Sequence, residues 1–417
     1  MSKTPSRHTS TRYEKPHRPL PVRALNRVLG LTSRFGKGAA IDPASLMAAA
    51  EEATGLLDFG EPSFREPLAK LVDSIEREAS LHPLGRVITR TRLISTLANR
   101  ARVEEQYRAH PEIENESVSR PIVIAGLQRT GTTLLHRMLA SDRRLRALAS
   151  WEALSPAPLD ASGTDVRRQQ AEQSEMALGY LAPDFFAIHP VEANAPEEDV
   201  LLLDLSFRST VAEATLNVPT FSRWLEQQDQ LPAYRSLERA MKLLLHQRRP
   251  APPGRWILKS PHHLEWLDVL FSVFPDATVV WTHREPRETI PSFCSMVAHG
   301  RGVFSDRVDP REVGQQWSNK IYRMVERGMA AREAAGDRHF VDVRYEDLVR
   351  DPIGQAKRIY AAADIPFERE TNDGMKDLLQ KQRKDRFGHH VYRAEDFGLT
   401  AEGIDSALAP YRARYLG

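Results

Sequence analysis

The residues whose types and spacing speak most directly of chemistry are Gly126-Leu-Gln-Arg-Thr-Gly-Thr-Thr133. Gly126 and Gly131 let a backbone turn tightly and come close to an anion. The amides of such a loop, followed by the first turn of a helix, converge on one spot and favour negative charge there. Thr132 and Thr133 add hydroxyl donors. Arg129 adds a permanent positive charge on a planar fork that suits two oxygens. The glycine spacing matches the common nucleotide loop G-x-x-x-x-G-K-[ST], but Thr132 stands where the lysine belongs. That lysine reaches the β- and γ-phosphates of ATP, so its absence argues against an ordinary kinase or ATPase.

A second cation, Lys259, ends the apolar run Trp256–Lys259. It therefore falls at the carboxyl edge of a strand, where ligands bind in open parallel sheets. Arg284 ends another such run, Ala277–His283, and Pro286 starts a helix just beyond it. His189 and the acidic run Glu197-Glu-Asp199 fall in a less regular stretch; the run reads as the start of a helix at Pro196, with contact to an acceptor as the alternative. No carboxylate or His/Cys grouping has the spacing of metal ligands, so no metal is expected.

These residues need a scaffold. Pro121–Ala125 is short and almost wholly apolar, as a buried parallel strand should be. Trp256–Lys259, Ala277–His283 and His339–Arg344 read the same way. Helical stretches separate them: Leu134–Ser141, His263–Phe274, Pro286–His299, Pro310–Ala335 and Pro352–Ala363. Strands alternating with helices imply an α/β fold with a parallel sheet covered on both faces. Residues 1–40 are rich in proline and basic residues and are expected to form a flexible basic tail. Residues 41–115 have helical spacing, with Asp42-Pro43 as a start signal and Leu81–Arg108 as an amphipathic helix. The remainder, 116–417, reads as one domain with a mostly helical cap insert at about 151–253, since a structureless loop of that length is implausible.

Composition narrows the field. Of 417 residues, 58 are Lys or Arg and 56 are Asp or Glu, a net charge of +2. Nothing global therefore points to nucleic acid or an anionic membrane. No apolar run is long enough to span a bilayer. Met1–Arg23 lacks the apolar centre of a secretory signal. The single cysteine, Cys294, excludes an intrachain disulfide and fits a reducing cytoplasm.

Arg129-Thr-Gly-Thr-Thr133 matches the form [KR]-[ST]-G-T-T, and the chain resembles the PAPS-dependent sulfotransferase superfamily from about Leu81 onward. Among its branches it is similar to bacterial members with arginine in the 5′-phosphosulfate loop. The resemblance implies a P-loop-like three-layer fold and transfer of a sulfuryl group from 3′-phosphoadenosine 5′-phosphosulfate (PAPS) to a hydroxyl or amine, with the 3′,5′-diphosphate (PAP) as product. It implies that Arg129, Thr130, Gly131, Thr132 and Thr133 hold the 5′ end of the donor. Arg284 at a strand end and Ser292 on the next helix correspond to the pair that grips the 3′-phosphate. Tyr345 of Tyr345-Glu-Asp-Leu348 corresponds to a tyrosine lying against the adenine. In the basic stretch Lys381–Tyr392, Lys384 and Arg386 are candidates to close over the 3′-phosphate. Lys259-Ser-Pro-His-His263 resembles a K-S-P-x-H segment, which makes Lys259 and Arg129 the cations for the transferring group. The base is left open between Glu152, matching a glutamate of tyrosyl-protein sulfotransferases, and His263, matching the histidine of cytosolic ones, with His262 beside it. The transferred group carries a single charge, so no metal is required. The family's acceptors include sugars, lipids, phenols and peptides. A divergent P-loop small-molecule kinase and a non-catalytic nucleotide-binding protein of the same fold are the alternatives. Oligomeric state is not legible.

Overall fold

The computed structural model describes residue 9, residues 11–14, 16 and 18–35, and then 40–159, 165–248, 254–381 and 390–417. Lys384 and Arg386 lie outside the described residues. Among the described residues five strands form one sheet: β1 (Ile122–Gly126), β2 (Leu145–Ala147), β3 (Arg255–Lys259), β4 (Thr278–His283) and β5 (Phe340–Arg344). Their order is β2-β3-β1-β4-β5, and every neighbouring pair is parallel. The α/β expectation holds. β2 is the one strand the sequence did not announce, because three residues are too few to show a pattern.

β1 lies at the centre and is fully buried along its length. Its side chains alternate between two cores, as the pleat requires. Val123 and Ala125 join Leu258, Val279 and Trp281 on one face, while Ile122 and Ile124 join Ile257, Val280 and Val343 on the other. Each buried aliphatic side chain stabilises the sheet by about 1.5–3 kcal/mol relative to exposure. The register sets Gly126 beside Thr282 and Ile124 beside Lys259, so the loop, Lys259 and Arg284 all emerge at one carboxyl edge.

Prolines and acidic caps start the covering helices where the sequence places them. Asp309 precedes Pro310–Ala335 and accepts from the Arg311 N–H at 2.8 Å; Asp351 precedes Pro352–Ala362 and accepts from Gly354 N–H at 2.9 Å. Asp42 does the same for Ser45 N–H at 2.9 Å. The 41–115 region is helical, with helices Pro43–Thr54, Arg65–Glu78 and Pro83–Ala109. It shares a core with the cap, where Phe64, Leu68 and Leu97 meet Phe207 and Phe221.

Residues 1–40 depart from the expected irregular chain: Leu20–Phe35 is a helix. Tertiary contacts outweigh its composition there. Asn26 Oδ1 accepts from the Leu84 N–H at 2.8 Å and pairs with His82 Nδ1 at 3.0 Å, fastening this helix to the start of Pro83–Ala109. The cap is mostly helical, from Ser150–Leu154 through Arg167–Leu181 to Leu231–Gln247. Among the described residues, no helix is long and apolar enough to cross a membrane.

Candidate active site

The loop after β1 has the shape an anion cradle needs. A Cβ on Gly126 would stand 2.2 Å from Thr282 Oγ1, so only glycine lets β1 and β4 approach this closely. Gly131 takes φ 88°, and a Cβ there would stand 3.0 Å from Leu348 Cδ2 and 3.1 Å from Tyr345 Cδ2. Arg129 also adopts a left-handed φ of 69°, a conformation that costs a non-glycine residue about 1 kcal/mol and marks a constrained turn. Its compensation is visible: Arg284 Nη1 donates to the Arg129 carbonyl at 3.0 Å, and Arg129 Nη1 donates to the Ile188 carbonyl at 3.4 Å. Burial, with Arg284 close by, lowers the proton affinity of the Arg129 guanidinium.

The loop residues divide by orientation. Thr132 and Thr133 sit on the first turn of helix Thr132–Leu139 and, with Arg129 and Gln128, line a cavity of about 540 Å³. Thr130 faces the other way. It is fully buried, its hydroxyl bonded to the Leu127 carbonyl and to Thr282 Oγ1 at 2.6 Å each, so only its backbone belongs to the cradle.

Arg284 and Tyr345 stand next to the loop. The guanidinium lies 4.1 Å over the Tyr345 ring while its Nε and Nη2 donate to Glu288 Oε2 at 3.1 and 2.7 Å. Ser292, in helix Pro286–Phe304, is nearly buried, and its hydroxyl is 3.5 Å from His390 Nδ1. His390 Nε2 reaches Ser295 Oγ at 3.0 Å, and that hydroxyl is 3.0 Å from Tyr13 OH. Burial next to Arg129 pushes the His390 imidazole down to about 3. The Thr9 hydroxyl accepts from the Val391 N–H at 3.0 Å, so both distant segments of chain meet over the helix that carries Ser292.

Lys259 is almost wholly buried at the end of β3. Its Nζ donates to Glu198 Oε1 at 2.6 Å, and its N–H donates to Asp199 Oδ1 at 2.7 Å. Glu198 lines the cavity beside Glu197, His189 and Ser260. The acidic run is thus not simply the start of a helix at Pro196. The helix begins at Val200, and two acidic side chains before it serve Lys259. Sequence reading undervalued Glu198, because its partner lies far along the chain and no local spacing links them.

Glu152 and His263 do not border the cavity. Glu152 caps its own helix by accepting from the Ala149 N–H at 2.9 Å, and it takes a two-pronged contact from Arg248, with Nε at 2.9 Å. His263 is fully buried, with Nε2 2.6 Å from Asp199 Oδ2 and Nδ1 2.9 Å from Tyr234 OH. Burial alone would raise the Asp199 carboxyl, but His263 and the Lys259 N–H hold it below its ordinary range. His262 is buried with neither ring nitrogen hydrogen-bonded, and burial pushes it down to about 3.

The rest of the cavity wall is largely apolar. Leu178, Leu201 and Phe185 of the cap face Phe293, Met296 and Trp317 of the two long helices. A polar, cation-bearing rim therefore opens onto a mainly apolar chamber.

Comparison with known proteins agrees with this architecture. Residues 121–369 match the model of the sulfotransferase family. Omega-hydroxy-beta-dihydromenaquinone-9 sulfotransferase Stf3 of Mycobacterium bovis is 27% identical over 309 residues, covering 68% of this chain and 70% of that protein. The structure is similar to sulfotransferase STF1 from Mycobacterium tuberculosis H37Rv, at 31% identity and TM-score 0.78, covering 89% of this chain and 99% of that one. It is also similar to sulfotransferase STF9 from Mycobacterium avium, at 28% identity and TM-score 0.81, covering 90% and 97%. With the family's model spanning the loop, Lys259, Arg284 and Tyr345, the chain belongs to the sulfotransferase family and is a sulfuryl-transferring enzyme.

Proposed function

We propose that this sulfotransferase uses PAPS as donor and a lipophilic alcohol as acceptor. The observation that carries the reading is the continuity between the loop and the cavity: Arg129, Thr132 and Thr133 belong to both the anion cradle and a largely apolar chamber. The relative Stf3 bears a name that specifies a hydroxylated menaquinone, which supports an apolar acceptor with a terminal hydroxyl.

The loop amides and Arg129 would hold the 5′-phosphosulfate. Arg284 and Ser292 would take the 3′-phosphate, with Tyr345 bracing the Arg284 guanidinium and bordering the adenosine. An acceptor hydroxyl attacks sulfur in line; the new O–S bond forms as the bond from sulfur to the bridging oxygen breaks, and the electron pair stays with the phosphate. Charge grows on that oxygen and is met by Arg129, Lys259 and the helix N-terminus, which are already fixed in place. For the acceptor proton we assign Glu198, the carboxylate that both lines the cavity and bonds Lys259. Glu152 and His263 take structural parts. His263 clamps Asp199, and Asp199 in turn fixes the backbone of Lys259. None of these parts requires a metal.

The test is transfer of label from radioactive PAPS to primary alcohols of increasing alkyl length, with sugars of equal hydroxyl concentration alongside. Turnover that rises with alkyl length is expected. Labelling of sugars but not of long-chain alcohols would refute the acceptor class, and absence of PAP binding would refute the donor.

A further inference from the structure

Away from the cavity, the fold brings together three side chains with metal-ligand chemistry: His110, Glu112 and His246. His110 follows helix Pro83–Ala109, Glu112 belongs to the short turn Pro111–Asn115, and His246 sits on the last turn of Leu231–Gln247. No sequence spacing announces the group, because His246 arrives from the far end of the cap. One potential ligand atom from each lies within 4.8 Å of the others. Glu112 Oε1 is 3.2 Å from His110 Nδ1 and 3.7 Å from His246 Nε2. Ligands about 2.0–2.1 Å from a tetrahedral zinc ion stand about 3.3–3.5 Å from each other, so the carboxylate is already at ligand spacing from both imidazoles.

Two further observations point to an ion rather than to a chance ion pair. His246 Nδ1 is buried without a hydrogen-bond partner, and Glu116 Oε1 lies 3.8 Å from it. A carboxylate behind the second ring nitrogen is the arrangement that orients a metal-bound imidazole. The two rings are 5.3 Å apart by centroid, leaving their nitrogens to converge on the carboxylate. His110 and Glu112 are exposed, which gives an entry path and leaves a fourth position for water.

We propose that His110, Glu112 and His246 bind a divalent transition-metal ion of the zinc type, with Glu116 orienting His246. Two imidazoles and one carboxylate suit zinc and its borderline neighbours, not the oxygen-seeking Mg²⁺ or Ca²⁺. The ion joins the end of helix Pro83–Ala109 to the final turn of the cap helix that also carries Tyr234, the partner of His263. It lies outside the cavity and takes no part in sulfuryl transfer.

The full, tag-free chain is stripped with chelator, dialysed and titrated with Zn²⁺ by calorimetry. Co²⁺ absorption in the visible range serves as a second readout. One saturable site is expected, with a raised Tm and a cobalt band of low-coordinate type. His246→Ala and Glu112→Gln should abolish that site, and Glu116→Gln should weaken it by about tenfold. Mg²⁺ and Ca²⁺ should give no saturable binding. Absence of saturable zinc binding overturns the proposal, as does one site that survives unchanged in the folded His246→Ala protein.

Discussion

Replacing Arg284 with alanine isolates the second anion contact. In the structure this side chain makes three contacts: a bond to the Arg129 carbonyl at 3.0 Å, a stack 4.1 Å over Tyr345, and a pair with Glu288. If it also receives a phosphate, the variant loses a charge-assisted hydrogen bond of about 1.5–3 kcal/mol in the complex, while the stack on Tyr345, present without ligand, largely cancels from the binding difference. The side chain is 25% exposed, so solvent screens part of this and the lower half of the range applies. The result is about 1.5–2 kcal/mol, or about a 10- to 30-fold weaker Kd. Calorimetry with PAP and with adenosine 5′-phosphosulfate, which lacks the 3′-phosphate, separates the two causes. Wild type should prefer PAP, and Arg284→Ala should lose that preference. Arg284→Lys should fall between, because it keeps the charge without the fork. An Arg284→Ala protein that is folded by Tm and still discriminates as wild type does would refute the assignment of the 3′-phosphate to this residue.

Two further perturbations test other parts. Glu198→Gln should leave PAP affinity within about threefold and lower kcat by about 10²–10⁴; a kcat within about threefold of wild type would remove Glu198 from proton transfer. Asp142 anchors the turn before β2, accepting from the Arg144 N–H at 2.9 Å, Tyr360 OH at 2.8 Å and Thr371 Oγ1 at 2.9 Å. Burial alone would raise its carboxyl, but those donors and the Arg144 guanidinium hold it down at about 2, below the ordinary 3.8. A carboxyl lowered by folding adds stability that is complete above its unfolded value and is lost as pH falls towards about 2. Asp142→Asn should therefore cost about 2 kcal/mol above about pH 5, with the two Tm curves converging near pH 2. A constant gap across that range would contradict the linkage.

Most of the framework was readable from the chain alone. Four of five strands, the proline-started helices and the loop with Arg129, Arg284 and Tyr345 all depend on local patterns, and local patterns survive in sequence. What escaped depends on long-range pairing. Glu198 became prominent only through Lys259, and the His110–Glu112–His246 group only through the return of the cap. The same limit applies to Thr130, one of the loop residues expected at the 5′ end of the donor, whose hydroxyl is bonded to the Leu127 carbonyl and to Thr282 Oγ1. It also explains Glu152 and His263, whose residue types suit a base but whose side chains are committed to Arg248 and to Asp199. The helix Leu20–Phe35 was hidden by a basic composition that its docking through Asn26 overrides.

The strip of chain over Ser292 has a bearing on how the molecule is made. Tyr13 meets Ser295 across 282 residues, and Thr9 meets Val391 across 382. Closing loops of that size adds little in free energy, since each doubling of length costs about 0.6 kcal/mol. Its effect is on timing. During synthesis the amino-terminal segments leave the ribosome first and wait: Tyr13 until Ser295 has emerged, and Thr9 until Val391 has followed about a hundred residues later. A chain that has grown just past the Pro352–Ala362 helix already carries all five strands and Ser295, the partner of Tyr13, yet it still lacks His390 and the Val391 that Thr9 meets.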